Sequence, residues 1–252
     1  MIGISDRRVR LLTVVVGVAG LIAAGTAPAS AQDISVNFAQ GSGLTERVIQ
    51  MIALLTVLSL APSILIMMTS FTRIVVVLSL LRTALGTATA PPNAVIVSLA
   101  LFLTAFVMGP ALQKTYETGI RPLVANEITA EQAFERGSIP LRAFMEKNVR
   151  DKDLKLFVDM AKEPIPAKPE DISLRVLVPA FMISELKRAF EIGFLLFLPF
   201  LIIDLVVASV LMSMGMMMLP PVVVSLPFKL IFFVLVDGWS LVAGSLIQSY
   251  GT

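Results

Sequence analysis

The chain contains no cysteine and no histidine, a single tryptophan and two tyrosines, and only 15% of its 252 residues are charged. Each scarcity removes a class of chemistry. Without thiols or imidazoles there is no disulfide, no structural zinc centre, no Cys or His nucleophile and no histidine proton relay. So little charge leaves too little polar surface for a soluble domain of this size. The net charge of +2 points to no particular partner and gives no reason to expect nucleic acid. Apolar residues are abundant instead: 56% of the chain is hydrophobic and its mean hydropathy is +0.88. The class this defines is an all-α, polytopic membrane protein.

The N-terminus carries a secretory pattern. Arg7, Arg8 and Arg10 precede an apolar core at 11–25, too short for a comfortable span, and Ala29-Ser30-Ala31 forms an A-x-A cleavage site. Residues 1–31 therefore read as a signal peptide, with the mature chain starting outside the cytoplasm at Gln32. A retained anchor helix is the alternative.

Charge spacing then divides the chain. Residues 48–72 carry no charge and suffice for one span, with Pro62 expected to kink it. Arg73 and Arg82 flank a short apolar piece; nine residues apart on a helix, they cannot share a face. An uncharged run at 83–113, interrupted by Gly86 and Pro91-Pro92, places a second span at 94–112. Residues 114–191 hold 13 basic and 13 acidic residues and alone resemble soluble protein. Within them, Leu154, Phe157, Val158 and Ala161 define an amphipathic helix that Asp151 is placed to cap. Thr129 to Gln132 fits a capping box, and Pro164, Pro166 and Pro169 make an extended connector. A third apolar region at 192–228 contains only Asp204 and is divided by Pro220-Pro221; a fourth at 231–250 contains Asp237.

The expected organisation is a signal peptide (1–31), a first membrane hairpin (32–113), a small helical extracytoplasmic segment (114–178) and a second hairpin (179–252). Both hairpins are expected to be kinked. The loops at 73–92 and 214–229, carrying Arg73, Arg82 and Lys229, would face the cytoplasm, as the positive-inside rule requires. The two inner turns share the spacing G-x4-P-P, at Gly86/Pro91-Pro92 and at Gly215/Pro220-Pro221. Such paired interruptions point to a transport pathway, although ordinary helix-breaker chemistry explains them equally well.

The second turn is methionine-rich. Five methionines fall in the seven residues before Leu219. Three consecutive ones, Met216, Met217 and Met218, would point in three directions on a helix, so they cannot all face one core unless the backbone leaves the helix. Plain packing, a soft-metal site built on Met212, Met214 and Met216, and a deformable hydrophobic seal are the competing explanations. Among charged residues, Asp204 and Asp237 lie within apolar runs and call either for an ion pair or for a proton path. Glu185, Lys187, Arg188 and Glu191 have the i, i+3 and i, i+4 spacings of a salt-bridged helix face. Alternatively, they form an inter-subunit charge network.

The stretch SFTRIVVVLSLLRTALGTATAPPNAVIVSLALFLTAFVMGP (70–110) resembles the first signature region of the FliP family of flagellar type III export-gate proteins. Residues 177–246, from LVPAFMISELKRAFEIGF through GMMMLPP to DGWSLVAGSL, resemble the second. The resemblance covers residue 44 to the end. It implies a pore-wall protein that is not an enzyme and needs no cofactor. About five copies would assemble with FliQ and FliR in the bacterial inner membrane, at the flagellar basal body. There they would work with FlhA and FlhB to pass unfolded flagellar subunits outward. The resemblance also implies apolar helices folded as bent hairpins partly lifted out of the membrane plane. It places a methionine gasket at Met216, Met217 and Met218, with Gly215, Pro220 and Pro221 turning the loop. Inter-subunit charges would involve Glu185, Lys187, Arg188 and Asp204. The competing functions are a stand-alone proton-coupled transporter using Asp204, a methionine-based copper carrier, and the virulence-type secretion homologue.

Overall fold

A computed structural model of the chain describes residues 44–87, 89–162, 172–216 and 218–251. The signal segment 1–31, the connector prolines Pro164, Pro166 and Pro169, and Met217 lie outside the described residues. The chain divides into two units, 1–54 and 55–252. Among the described residues every regular element is helical.

Helix α1 spans Leu44–Met67 and continues past position 62. It ends earlier than the uncharged run that encodes it. A turn at Thr69 and Ser70, with the Thr69 amide bonded to the Ile66 carbonyl at 3.3 Å, separates it from α2, Phe71–Ala84. The segment expected as the start of a cytoplasmic loop is therefore a 14-residue helix, and it is the centre of the core. Ile74, Val77, Leu78, Leu81 and Ala84 are all buried. They pack on Ile96 and Ala100 of α3 (Asn93–Thr115), Ala189 and Phe200 of α7 (Leu174–Ser213), and Phe233 of α8 (Pro221–Leu235). An apolar helix charged only near its two ends is what such a central position demands.

Helix α3 does not stop at 113. It passes through a π-turn, Tyr116–Ile120, into α4, Arg121–Val124, and Asn93–Val124 is one continuous 32-residue helix. The widened turn sits beside Pro122, which has no N–H to give the Thr118 carbonyl. Helix α5, Ala130–Asn148, begins at the expected capping box: the Thr129 hydroxyl accepts from the Gln132 amide at 3.3 Å, and the Gln132 side chain accepts from the Thr129 amide at 3.3 Å.

Helix α6, Asp151–Ala161, is the amphipathic helix, but Asp151 makes no capping bond. Asp153 does the anchoring instead. Its carboxylate accepts from Ser184 of α7 at 2.7 Å and from Arg150 at 2.9 and 3.1 Å. Burial pushes the Asp153 carboxyl up, but these hydrogen bonds and the Arg150 charge outweigh it, and the pKa falls below the ordinary value.

Helix α7 is 40 residues long, about 60 Å at 1.5 Å per residue, or roughly twice the hydrocarbon thickness of a bilayer. It runs uninterrupted through positions 178–179, joining the polar middle of the sequence to the apolar second hairpin. After it, α8 and α9 (Gly238–Gln248) meet at a 63° bend, so the fourth apolar region is a broken helix rather than a straight span. Asp237 sits at that bend with φ +50°, exposed, and among the described residues no cation lies within ion-pair distance of it. Among the described residues two helices, Asn93–Val124 and Leu174–Ser213, are long and apolar enough to cross a membrane, or three spans if the bent pair counts as one.

Candidate functional site

The methionine turn is built by a helix stop. Gly215 takes φ +73°, which costs a residue without Cβ little. The Met216 amide bonds back to the Leu211 carbonyl at 3.0 Å, and the Gly215 amide to the Met212 carbonyl at 3.1 Å. This nested pair is the Schellman motif, which uses up carbonyls that α7 would otherwise leave open. Pro220 then forms the N-cap of α8 and Pro221 its first residue, where a missing N–H costs nothing. Met216 and Met218 thus lie off the helix, as three adjacent methionines at this position required. They are 42% and 98% exposed, and a Cβ added at Gly215 would meet nothing within 4 Å.

The first turn repeats this chemistry. Gly86 has φ +77°, and its amide bonds to the Thr83 carbonyl at 3.0 Å. The second bond of the motif comes from a side chain: the Thr87 hydroxyl donates to the Arg82 carbonyl at 3.3 Å. Arg82 itself reaches across the turn to Asn93 Oδ1 at 2.5 Å and the Pro91 carbonyl at 3.3 Å.

Two ion-paired clusters join the helices that carry these turns. Asp204 of α7 accepts from Lys229 Nζ at 2.6 Å and from the Ser225 hydroxyl at 2.5 Å, both on α8. Lys229 also donates to the Ala84 carbonyl, at the end of α2, at 3.2 Å. It is 3% exposed in mid-helix, so it is no loop residue. The carboxylate set in this apolar run therefore has its ion pair within the chain.

Glu185 does not pair with Arg188. It is fully buried and bonded at both oxygens by Arg73, through Nε at 3.0 Å and through Nη2, while the Tyr250 hydroxyl donates to it as well. Arg73 lies over the Tyr250 ring at 3.7 Å and reaches Ser249 Oγ at 2.9 Å. One buried guanidinium thus ties α2, α7 and the segment after α9 together. A fork facing a carboxylate is the geometry in which a buried pair keeps its hydrogen bonds.

Lys187 and Arg188 stay off both clusters. Lys187 faces Glu191 at 4.0 Å on the same helix, and Arg188 is half-buried. Sequence reasoning noted Arg73, but neither it, nor Lys229, nor Tyr250, was identified as a partner. A buried charge must be neutralised, so asking what neutralises Asp204 and Glu185 would have singled out the cations that interrupt apolar helices.

Long apolar helices, two glycine-stopped turns and buried ion pairs between the helices define an all-helical protein with candidate membrane spans. Its relatives narrow this further. Residues 54–246 match the model of the FliP family. The flagellar biosynthetic protein FliP of Caulobacter vibrioides is 59% identical over 244 residues, covering 97% of this chain and 91% of that protein. Its namesake in Bacillus subtilis is 56% identical over 202 residues, covering 80% and 91%. That of Aquifex aeolicus is 53% identical over 212 residues, covering 83% and 89%. The chain belongs to the FliP family, and it is not an enzyme.

Proposed function

We propose that the chain is a pore-wall subunit of the flagellar type III export gate, at the basal body in the bacterial inner membrane. Several copies, together with FliQ and FliR, would surround a conduit for unfolded flagellar subunits, with FlhA and FlhB alongside. The loop from Gly215 to Pro221 supplies the closure. The observation that carries this reading is the exposure of Met218, 98%, on a turn whose backbone is fixed by hydrogen bonds while its side chains are not. An apolar, unbranched side chain presented this way excludes water when copies converge, and it yields when a chain passes.

The charge network divides in this reading. Glu185 and Asp204 brace the subunit from within, since each has its cation on the same chain. Lys187 and Arg188 are the members left for neighbouring subunits. A proton relay at Asp204 is disfavoured by the Lys229 ammonium and the Ser225 hydroxyl that already occupy its two oxygens.

The test is substitution of Met216, Met217 and Met218 together by alanine in the assembled gate. Cells carrying the variant should admit small ions, with secretion altered. Unchanged membrane conductance with normal secretion would remove the seal.

A further inference from the structure

A second site lies where the apolar helix α3 meets α5. Lys114, Glu117, Thr118, Pro122, Arg136 and Ile139 line a pocket of about 460 Å³ beside the π-turn. Its walls are set by backbone contacts. A Cβ on Gly119 would lie 2.8 Å from the Ala133 carbonyl oxygen and 3.0 Å from the Gly137 Cα, so the two helices touch main chain to main chain.

Pro140 has no N–H to offer the Arg136 carbonyl, and the Thr118 hydroxyl, whose one proton goes first to the Lys114 carbonyl at 2.9 Å, lies 3.3 Å from that oxygen across the helix pair. The Thr115 hydroxyl donates to the Gly137 carbonyl at 3.0 Å. The helix irregularities therefore face each other at the pocket, and π-turns in long helices frequently mark binding sites.

The charges are arranged unequally. Lys114 and Arg136 line the pocket, and among the described residues neither has an acid within ion-pair distance. Glu117 contributes one negative charge and accepts from Gln113 Nε2 at 2.9 Å. The lining thus carries two cations and one anion, a net single positive charge. Lys114 is also the first charged residue after the uncharged run 83–113, so the pocket sits where the apolar stretch ends. Exposed apolar side chains of α3, Phe102 and Phe106 among them, precede it along the helix.

We propose that this pocket binds a singly charged phosphodiester lacking a cation of its own, as an anionic phospholipid headgroup presents at the end of a membrane span. Basic pockets between helices at a membrane surface recognise such headgroups. Arg136 and Lys114 supply the donors, and Glu117 disfavours a doubly charged phosphate.

The experiment uses the full chain in detergent. Its unfolding midpoint is followed while phosphatidylglycerol, phosphatidylcholine of the same acyl chains, or inorganic phosphate is added. Phosphatidylglycerol should raise the midpoint at lower concentration than phosphatidylcholine. The double variant Lys114→Gln/Arg136→Gln should need roughly thirtyfold more of it. Lys152→Gln/Lys155→Gln, on exposed positions of α6, should respond as the unsubstituted chain does.

A rise with inorganic phosphate as large as with phosphatidylglycerol would overturn the preference for a phosphodiester; no rise with it would support the headgroup. A double variant that titrates like the unsubstituted chain, or phosphatidylcholine matching phosphatidylglycerol, overturns the proposal. Should the double variant lose helicity by circular dichroism, salt dependence decides. Binding to the unsubstituted chain that does not weaken between low and high salt also overturns it.

Discussion

The two glycine-stopped turns have the same spacing and the same left-handed glycine, yet opposite surroundings. The first is enclosed. Gly86 lies against Leu226, Arg82 clasps the turn across its base, and Lys229 holds the helix end that feeds it. The second is open at its described tip: no atom comes within 4 Å of a Cβ at Gly215, and Met218 is almost wholly exposed. The repeat therefore specifies how the chain turns, not what the turn does. Breaker chemistry accounts for both bends. Only the side chains between glycine and prolines differ, threonine and alanine in one, three methionines and a leucine in the other. A bare apolar turn of this kind agrees with the proposed closure between subunits.

The largest expected effect attacks the enclosure at its root. Arg73→Met would leave Glu185 buried without its cation, a loss of about 3–5 kcal/mol. Little folded protein should survive extraction, as judged by the thermal midpoint. A midpoint within a few degrees of the unsubstituted chain would show that the α2 anchor is dispensable.

Next in size is Lys229→Met, costing about 2 kcal/mol, since Asp204 is 29% exposed and keeps the Ser225 bond. Here the comparison can be broken directly. Amide exchange should accelerate at residues 85–87, where the Lys229–Ala84 contact is lost, and remain as before at 215–219. Equal acceleration at both turns would mean they are coupled and that the contrast in surroundings is superficial.

The glycines sharpen it further. Gly86→Ala and Gly215→Ala each force a Cβ into the left-handed region, at about 1 kcal/mol. Gly86 would add an ordinary contact at 3.5 Å to Leu226, and Gly215 none. Similar destabilisation of both in chemical denaturation is expected, because the cost lies in the backbone. An internal reference lies away from both turns, at Asp153. Its depressed pKa means that the anchored carboxylate stabilises the fold above its unfolded pKa, near 3.8, and that this contribution fades as pH falls through the lower folded value. Protection factors across α6, taken relative to the intrinsic exchange rate at each pH, should therefore fall in acid, and Asp153→Asn should remove that pH dependence.

How much of this was legible beforehand depends on which kind of signal encodes it. Helix stops are local, so Gly215 with Pro220-Pro221 and the Thr129–Gln132 box could be read residue by residue. Apolar runs were legible as helices but not as spans. Composition does not say whether an apolar helix faces lipid or protein, and α2, expected as loop, turned out to be the core. Pairing was least legible. Arg73 and Glu185 are 112 residues apart, and Lys229 and Asp204 25 apart, and nothing in the spacing selects these partners over Arg188 or Glu191. The methionines could be recognised as unsuited to a helix because adjacent positions diverge, a purely geometric point.

The smallest expected effect isolates the second turn. Met218→Ser replaces a side chain that is 98% exposed and makes no packing contact for the fold to lose. Surface changes of this kind stay within about 0.5 kcal/mol, so the denaturation midpoint of the purified chain should not move. In the assembled gate the same substitution should raise ion leakage, because a hydroxyl placed in a hydrophobic constriction holds water that a thioether excludes. Thr87→Ser, at the enclosed turn, is the matched control: it keeps the hydroxyl that bonds the Arg82 carbonyl, and should change neither quantity. A silent chain with a leaking assembly places the work of Met218 between subunits. A destabilised chain would mean that the turn is packed against its own subunit after all, and the contrast between the two turns would be lost.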